Sequence, residues 1–170
     1  MRRALNLLTA MVVISGCGDG EGGSSPYIRA TVAGQTWAAE AQEGQVAYSV
    51  DHPDGGWIYT IASRKVGKGS QFFTVTVPLQ PAPGSFSLDG VVTSATFASC
   101  PDDILADCIF SSAIAAHPGT LTIDQVDPAT GLIEGDFSFT GYALGSPEGT
   151  ATAVTGGHFR FYAPSVFILE

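Results

Sequence analysis

The chain has 170 residues, with 7 Lys and Arg against 16 Asp and Glu, and a formal net charge of −9 at pH 7. So acidic a chain lacks the basic footprint of a nucleic-acid binder, and it would not adhere to an anionic lipid surface by charge alone. Its length and its 45% content of apolar residues suffice for one domain with a real core.

Met1-Arg2-Arg3 is a positive start, and residues 4–14 form an apolar run broken only by Asn6 and Thr9. The run falls short of the ~20 residues a helix needs to cross a bilayer, so it reads as a secretory leader. It ends in Ile14-Ser15-Gly16-Cys17: apolar, small, small, Cys. This pattern resembles the lipobox of bacterial lipoproteins. The resemblance implies cleavage between Gly16 and Cys17, and attachment of palmitate-type acyl chains to Cys17 as a membrane anchor. It also implies residence in the cell envelope. Gly18 stands where an Asp would signal inner-membrane retention, so the outer membrane is the expected address. A single acyl chain holds a protein only marginally, and two or three make the attachment stable. Gly18 and the residues to Pro26 (GDGEGGSSP) have too little apolar surface to fold and read as a flexible tether. The expected organisation is a signal peptide over 1–16, the lipidated cysteine and tether over 17–26, and one domain over 27–170.

Loss of Arg2 and Arg3 with the leader leaves five basic residues against sixteen acidic ones, a net charge of −11. With Cys17 assigned to lipid, Cys100 and Cys108 remain as an even pair in an oxidising compartment and predict a disulfide. Closing a loop of about nine residues contributes roughly 2.5 kcal/mol in the chain-entropy model. No Cys-x-x-Cys or Cys/His ligand set accompanies them, so no metal or other cofactor is expected.

From Tyr27 the pattern turns to period two. Ile28, Ala30 and Val32 alternate with Tyr27, Arg29 and Thr31, Ala33-Gly34-Gln35 turns the chain, and Thr36-Trp37-Ala38 begins the return. Trp37 is expected in the core. Val46, Tyr48 and Val50 predict a strand that ends in the turn Asp51-His52-Pro53-Asp54-Gly55-Gly56, where two carboxylates are too few for a Ca²⁺ site. Residues 57–62 alternate again. Residues 64–70 hold three of the five remaining basic residues, Arg64, Lys65 and Lys68, with Gly67 and Gly69. They read as a solvated loop, and as candidates for recognition of a phosphate or carboxylate. Residues 71–77 are a strand ended by Pro78, Pro81 and Pro83, which suggests an edge or a crossing loop. Two further strands are expected over 85–88 and 92–98. Asp102, Asp103 and Asp107 then lie between the paired cysteines and are candidate recognition residues, although turn chemistry explains them equally well.

The last third is the most regular. Leu121 and Ile123 oppose Thr120, Thr122 and Asp124, and Asp127-Pro128-Ala129-Thr130-Gly131 is a turn with Gly free to take positive φ. On the return strand Ile133, Phe137 and Phe139 share one face, and Glu134, Asp136 and Ser138 the other. Phe159 and Phe161 point inward, with His158 and Arg160 outward. If this final strand neighbours residues 132–140, His158 and Arg160 face Glu134 and Asp136. No stretch sustains a 3.6-residue period. The predicted fold is therefore all-β with little helix, a single antiparallel β-sandwich or partly closed β-barrel.

Ile28-Arg29-Ala30-Thr31-Val32-Ala33-Gly34-Gln35-Thr36-Trp37 resembles the opening hairpin of small bacterial lipoproteins of unknown function. Leu121-Thr122-Ile123 with Gly131-Leu132-Ile133-Glu134-Gly135-Asp136-Phe137-Ser138-Phe139-Thr140 resembles their closing hairpin, and Val154-Thr155-Gly156-Gly157-His158-Phe159 their last strand. The resemblance implies one all-β domain behind a lipid anchor and carries no activity with it.

The expected function is a non-catalytic binding or structural module of the envelope, anchored through Cys17 and meeting an envelope protein or glycan. A lipid-anchored hydrolase is the alternative, but neither Gly-x-Ser-x-Gly nor His-Glu-x-x-His occurs, and His52, His117 and His158 are the only imidazoles. A barrel carrying a small apolar ligand is the other alternative, and it calls for an internal cavity in place of a filled core.

Overall fold

The computed structural model describes residues 25–42, 57–67, 69–90, 93–100, 108–114, 119–143 and 150–163. The leader, Gly16, Cys17, the expected strand over 46–50, His52, Lys68, Asp102, Asp103, Asp107 and His117 lie outside them. The strands are β1 (Tyr27–Val32), β2 (Gln35–Gln42), β3 (Trp57–Val66), β4 (Gly69–Pro78), β5 (Gly84–Leu88), β6 (Ser94–Cys100), β7 (Ile109–Ser111), β8 (Gly119–Asp127), β9 (Leu132–Ala143) and β10 (Ala151–Tyr162), with one 3-10 turn at Ser112–Ile114.

All pairings are antiparallel, and the order β10-β1-β2-β3-β4-β6-β7-β9 returns to β10, which closes an eight-stranded barrel. The first and last strands make the seam, with Ile28 opposite Phe159 and Val32 opposite Val154. Along one edge of β9 the sheet branches. Its last residues pair with the three-residue β7, while residues 132–138 pair with β8, whose far edge carries β5. Closure resolves the choice between sandwich and barrel, and the proline-rich exit from β4 is the crossing that takes the chain out to β5. Where β7 ends, the buried Ser112 hydroxyl accepts the backbone N–H of Ala95 at 3.0 Å and so replaces a ladder bond.

Local chemistry sets the turns. Ala33 and Gly34 both have positive φ (47° and 81°), the pattern of a two-residue turn whose twist matches that of the strands it joins. After β8, Asp127 accepts hydrogen bonds from the Ala129 N–H at 2.9 Å and the Thr130 hydroxyl at 2.8 Å. The Thr130 bond, followed by that from Ala129, holds its carboxyl below the usual aspartate value. A bulge between Val154 and Gly157 places Gly156 at φ 55° and bends β10 around the barrel.

Period-two alternation puts one continuous core inside. Ile28, Trp37, Ile58, Phe73, Val75, Val77, Leu121, Ile123, Ile133, Phe159 and Phe161 are all buried. On β3 the inward face is Ile58, Thr60 and Ala62. Phe73 on β4 and Phe137 on β9 are 5.7 Å apart between ring centroids. Their strands are not neighbours, so the two rings meet across the lumen and wall side chains fill it at that level. An eight-stranded barrel is about wide enough for this. Leu88 of β5 joins the same core, which ties the outer strands to the barrel.

Among the described residues two buried polar groups are out of place in this interior, the Trp37 indole N–H and the Thr60 hydroxyl. The Thr60 hydroxyl is 0% exposed and has no hydrogen-bond partner among the described residues. A buried hydroxyl without a partner costs about 1–3 kcal/mol. Thr60→Val keeps the shape and removes that group, so it is expected to stabilise the fold by about 1 kcal/mol, read as a higher urea midpoint at unchanged slope.

Candidate functional site

The expected basic loop over 64–70 is instead the end of a hairpin. Strand β3 runs on to Val66, which pairs directly with Gly69, and Gly67 takes φ 61° in the tight turn between them. Arg64 and Lys65 are therefore strand residues and point to opposite faces. Lys65 is exposed, whereas Arg64 shares the inward face of Ile58, Thr60 and Ala62 and is half-buried. The two cations form no common patch. Charge and glycine content imitate a loop here, and the alternation that begins at Ile58 carries through Arg64.

Two cross-strand rows at this end of the barrel make the site. The inner row is Ala62, Phe73 and Phe97, with Trp37 packed edge-on to Phe73 at 4.7 Å. The next row outward is Arg64, Gln71 and Ser99, one residue from each of β3, β4 and β6. Arg64 Nε donates to Gln71 Oε1 at 2.9 Å, and Gln71 Nε2 donates to Ser99 Oγ at 3.1 Å. The guanidinium lies over the Trp37 indole, 5.3 Å from the ring centroid, in a cation–π contact. Ser99 is held in turn by its N–H, which donates to the Cys108 carbonyl at 3.0 Å. The Cys100–Cys108 disulfide is formed, with the two Cα atoms 5.1 Å apart, and pins this corner of β6 to the start of β7.

The Nε of Arg64 is thus engaged and its plane is fixed. Among the described residues no carboxylate pairs with it; their ion pairs join His158 and Arg160 to Glu134 and Asp136. Beneath it, Trp37 is 1% exposed and its Nε1 has no hydrogen-bond partner among the described residues. Gln71, Ser99 and the indole N–H carry no sequence signal of their own, because only the register between β3, β4 and β6 brings them together.

A second polar cluster lies on the outside of the barrel, where β9 and β10 are neighbours as expected. His158 pairs with Asp136 and Arg160 with Glu134. The His158 ring nitrogens sit 2.6 Å from Asp136 Oδ1 and 3.0 Å from Glu134 Oε1, and Arg160 grips Glu134 with Nη2 at 2.7 Å and Nε at 3.0 Å. Tyr27 of β1 covers the group, its ring 5.6 Å from both His158 and the Arg160 guanidinium. Carboxylates occupy both ring nitrogens, so His158 orders the outer face and has no free nitrogen to act as a base.

Glu134 has a 16% exposed side chain. Partial burial opposes its ionisation, but hydrogen bonds from Arg160 and His158 and their positive charge outweigh this and hold its pKa below 4.5. Because the folded value lies below the unfolded one, this stabilisation is present above pH 4.5 and is lost as pH falls through the folded value. Glu134→Gln is expected to cost about 1–2 kcal/mol at pH 7. The gap to wild type should narrow as pH falls below 4.5, with urea unfolding at pH 7 and in acid as the check.

In comparisons with family models, with curated proteins and with solved structures, nothing matches this chain.

Proposed function

We propose that the protein is a lipid-anchored, non-catalytic binding module of the bacterial envelope. Acyl chains on Cys17 hold it at a membrane, with the outer membrane as its address, and residues 17–26 tether the barrel to a site of contact with an envelope protein or glycan. The anchor rests on Ile14-Ser15-Gly16-Cys17 behind a short apolar leader. The observation that carries the binding-module reading is the Phe73–Phe137 contact across the lumen. It supports recognition at the ends and outer surface of the barrel over enclosure of an apolar ligand. The occupied nitrogens of His158 favour binding over hydrolysis in the same way.

Metabolic labelling with palmitate in a bacterial host tests the anchor. Label is expected on the wild-type chain and absent from Cys17→Ala, and a labelled variant would remove the anchor from the reading. Capture from detergent-solubilised envelope tests the partner. A component retained by the wild-type chain but not by a control with residues 102–107 scrambled supports a binding module. No specific retention would favour a purely structural role.

A further inference from the structure

The structure assigns to the barrel end at Arg64 a binding site for an oxyanion, the carboxylate or phosphate group of a ligand lying across that end. This goes beyond the anchored-module reading and does not depend on the state of Cys17.

Two observations meet there. The guanidinium is half-buried and fixed by Gln71, Ser99 and the Trp37 face, yet among the described residues it has no carboxylate partner. With Nε engaged, its two Nη groups remain as a planar fork, which matches the two oxygens of a carboxylate or phosphate. The second is the charge balance. On a chain with 16 acidic residues and only 7 basic ones, a preorganised arginine without a described carboxylate partner is a recognition feature rather than general surface charge. The filled aromatic layer beneath, Trp37, Phe73 and Phe97, keeps the ligand at the rim and offers it an apolar floor.

The test is an NMR titration of the full chain in detergent with sodium acetate and, separately, sodium phosphate, at ionic strength held constant with sodium chloride. A Trp57→Phe background leaves Trp37 as the single indole. Saturable, millimolar-range shifts of the Trp37 indole N–H and the Arg64 Nε–H are expected. The anion that saturates at lower concentration tells a carboxylate ligand from a phosphate ligand. Arg64→Lys keeps the charge but loses the fork, and should weaken binding at least about tenfold, the value of one charge-assisted hydrogen bond. Arg64→Met should abolish it. Should Arg64→Met lose its dispersed spectrum, Arg64→Lys alone decides. The site is overturned if neither anion gives a saturable shift, if the shifts follow ionic strength only, or if a folded Arg64 variant titrates like wild type. A Cys17→Ser chain should titrate unchanged, so failure of the anchor and failure of this site are separable.

Discussion

Phe73→Ala is expected to destabilise the domain by about 3–5 kcal/mol, the cost of emptying a large aromatic site in a packed core. Phe73 is 0% exposed and touches Trp37 at 4.7 Å, Phe97 at 4.9 Å and Phe137 at 5.7 Å between centroids. It joins the β2–β4–β6 wall to the β9 wall, so its loss opens the middle of the barrel where no neighbour can collapse from one side alone. Against a typical total of about 5–15 kcal/mol, such a loss leaves the domain near the edge of unfolding. Phe73→Leu retains most of the volume and should cost much less. Urea unfolding of the two variants measures the difference. A cost for Phe73→Ala within about 1 kcal/mol would contradict a lumen filled at this level.

Gly135→Ala is expected to cost about 3 kcal/mol, although it adds a single methyl group. Gly135 on β9 lies opposite Phe159 on β10, whose ring covers it, and a Cβ there would overlap the Thr122 carbonyl oxygen on β8. The neighbouring pair repeats the arrangement in reverse, with Phe137 on β9 over Gly157 on β10. Two glycines thus make room for two phenylalanines in adjacent rows, and the rings stand 6.4 Å apart. A ring end can swing away from a new methyl, but the carbonyl of a central strand cannot move without opening the ladder. Gly34→Ala is the comparison. Nothing lies within 4 Å of its Cβ position, so the positive φ alone sets its cost, about 1 kcal/mol. Equal effects at both sites, read by thermal or urea unfolding, would remove the packing argument.

The features legible in the sequence are those with local causes. The turn Asp127-Pro128-Ala129-Thr130-Gly131 was readable because Gly131 can take φ 78° and Asp127 can bond its own turn. The inward faces of β8, β9 and β10 followed from alternation, and the disulfide from the even pair that Cys100 and Cys108 make once Cys17 is set aside. Ring closure by β1 and β10, and the departure of β5 to the edge of β8, involve partners far apart in sequence and leave no local trace. At Arg64 local composition pointed the wrong way, since Arg, Lys and Gly are usual in loops, and only the continued period of β3 argues for a strand. Its partners Gln71 and Ser99 are ordinary polar strand residues until the register aligns them.

The seam between β1 and β10 fixes an order of events during synthesis. Ile28 is made before its partner Phe159, with most of the barrel's strands between them in sequence. Until then β2 is the only neighbour of β1, and the sheet keeps an open edge along β1. Closure across nearly the whole chain is a high-separation contact and therefore a slow one. The barrel thus cannot close before β10 has been made, and the edges of β1 and β9 stay open until that strand arrives.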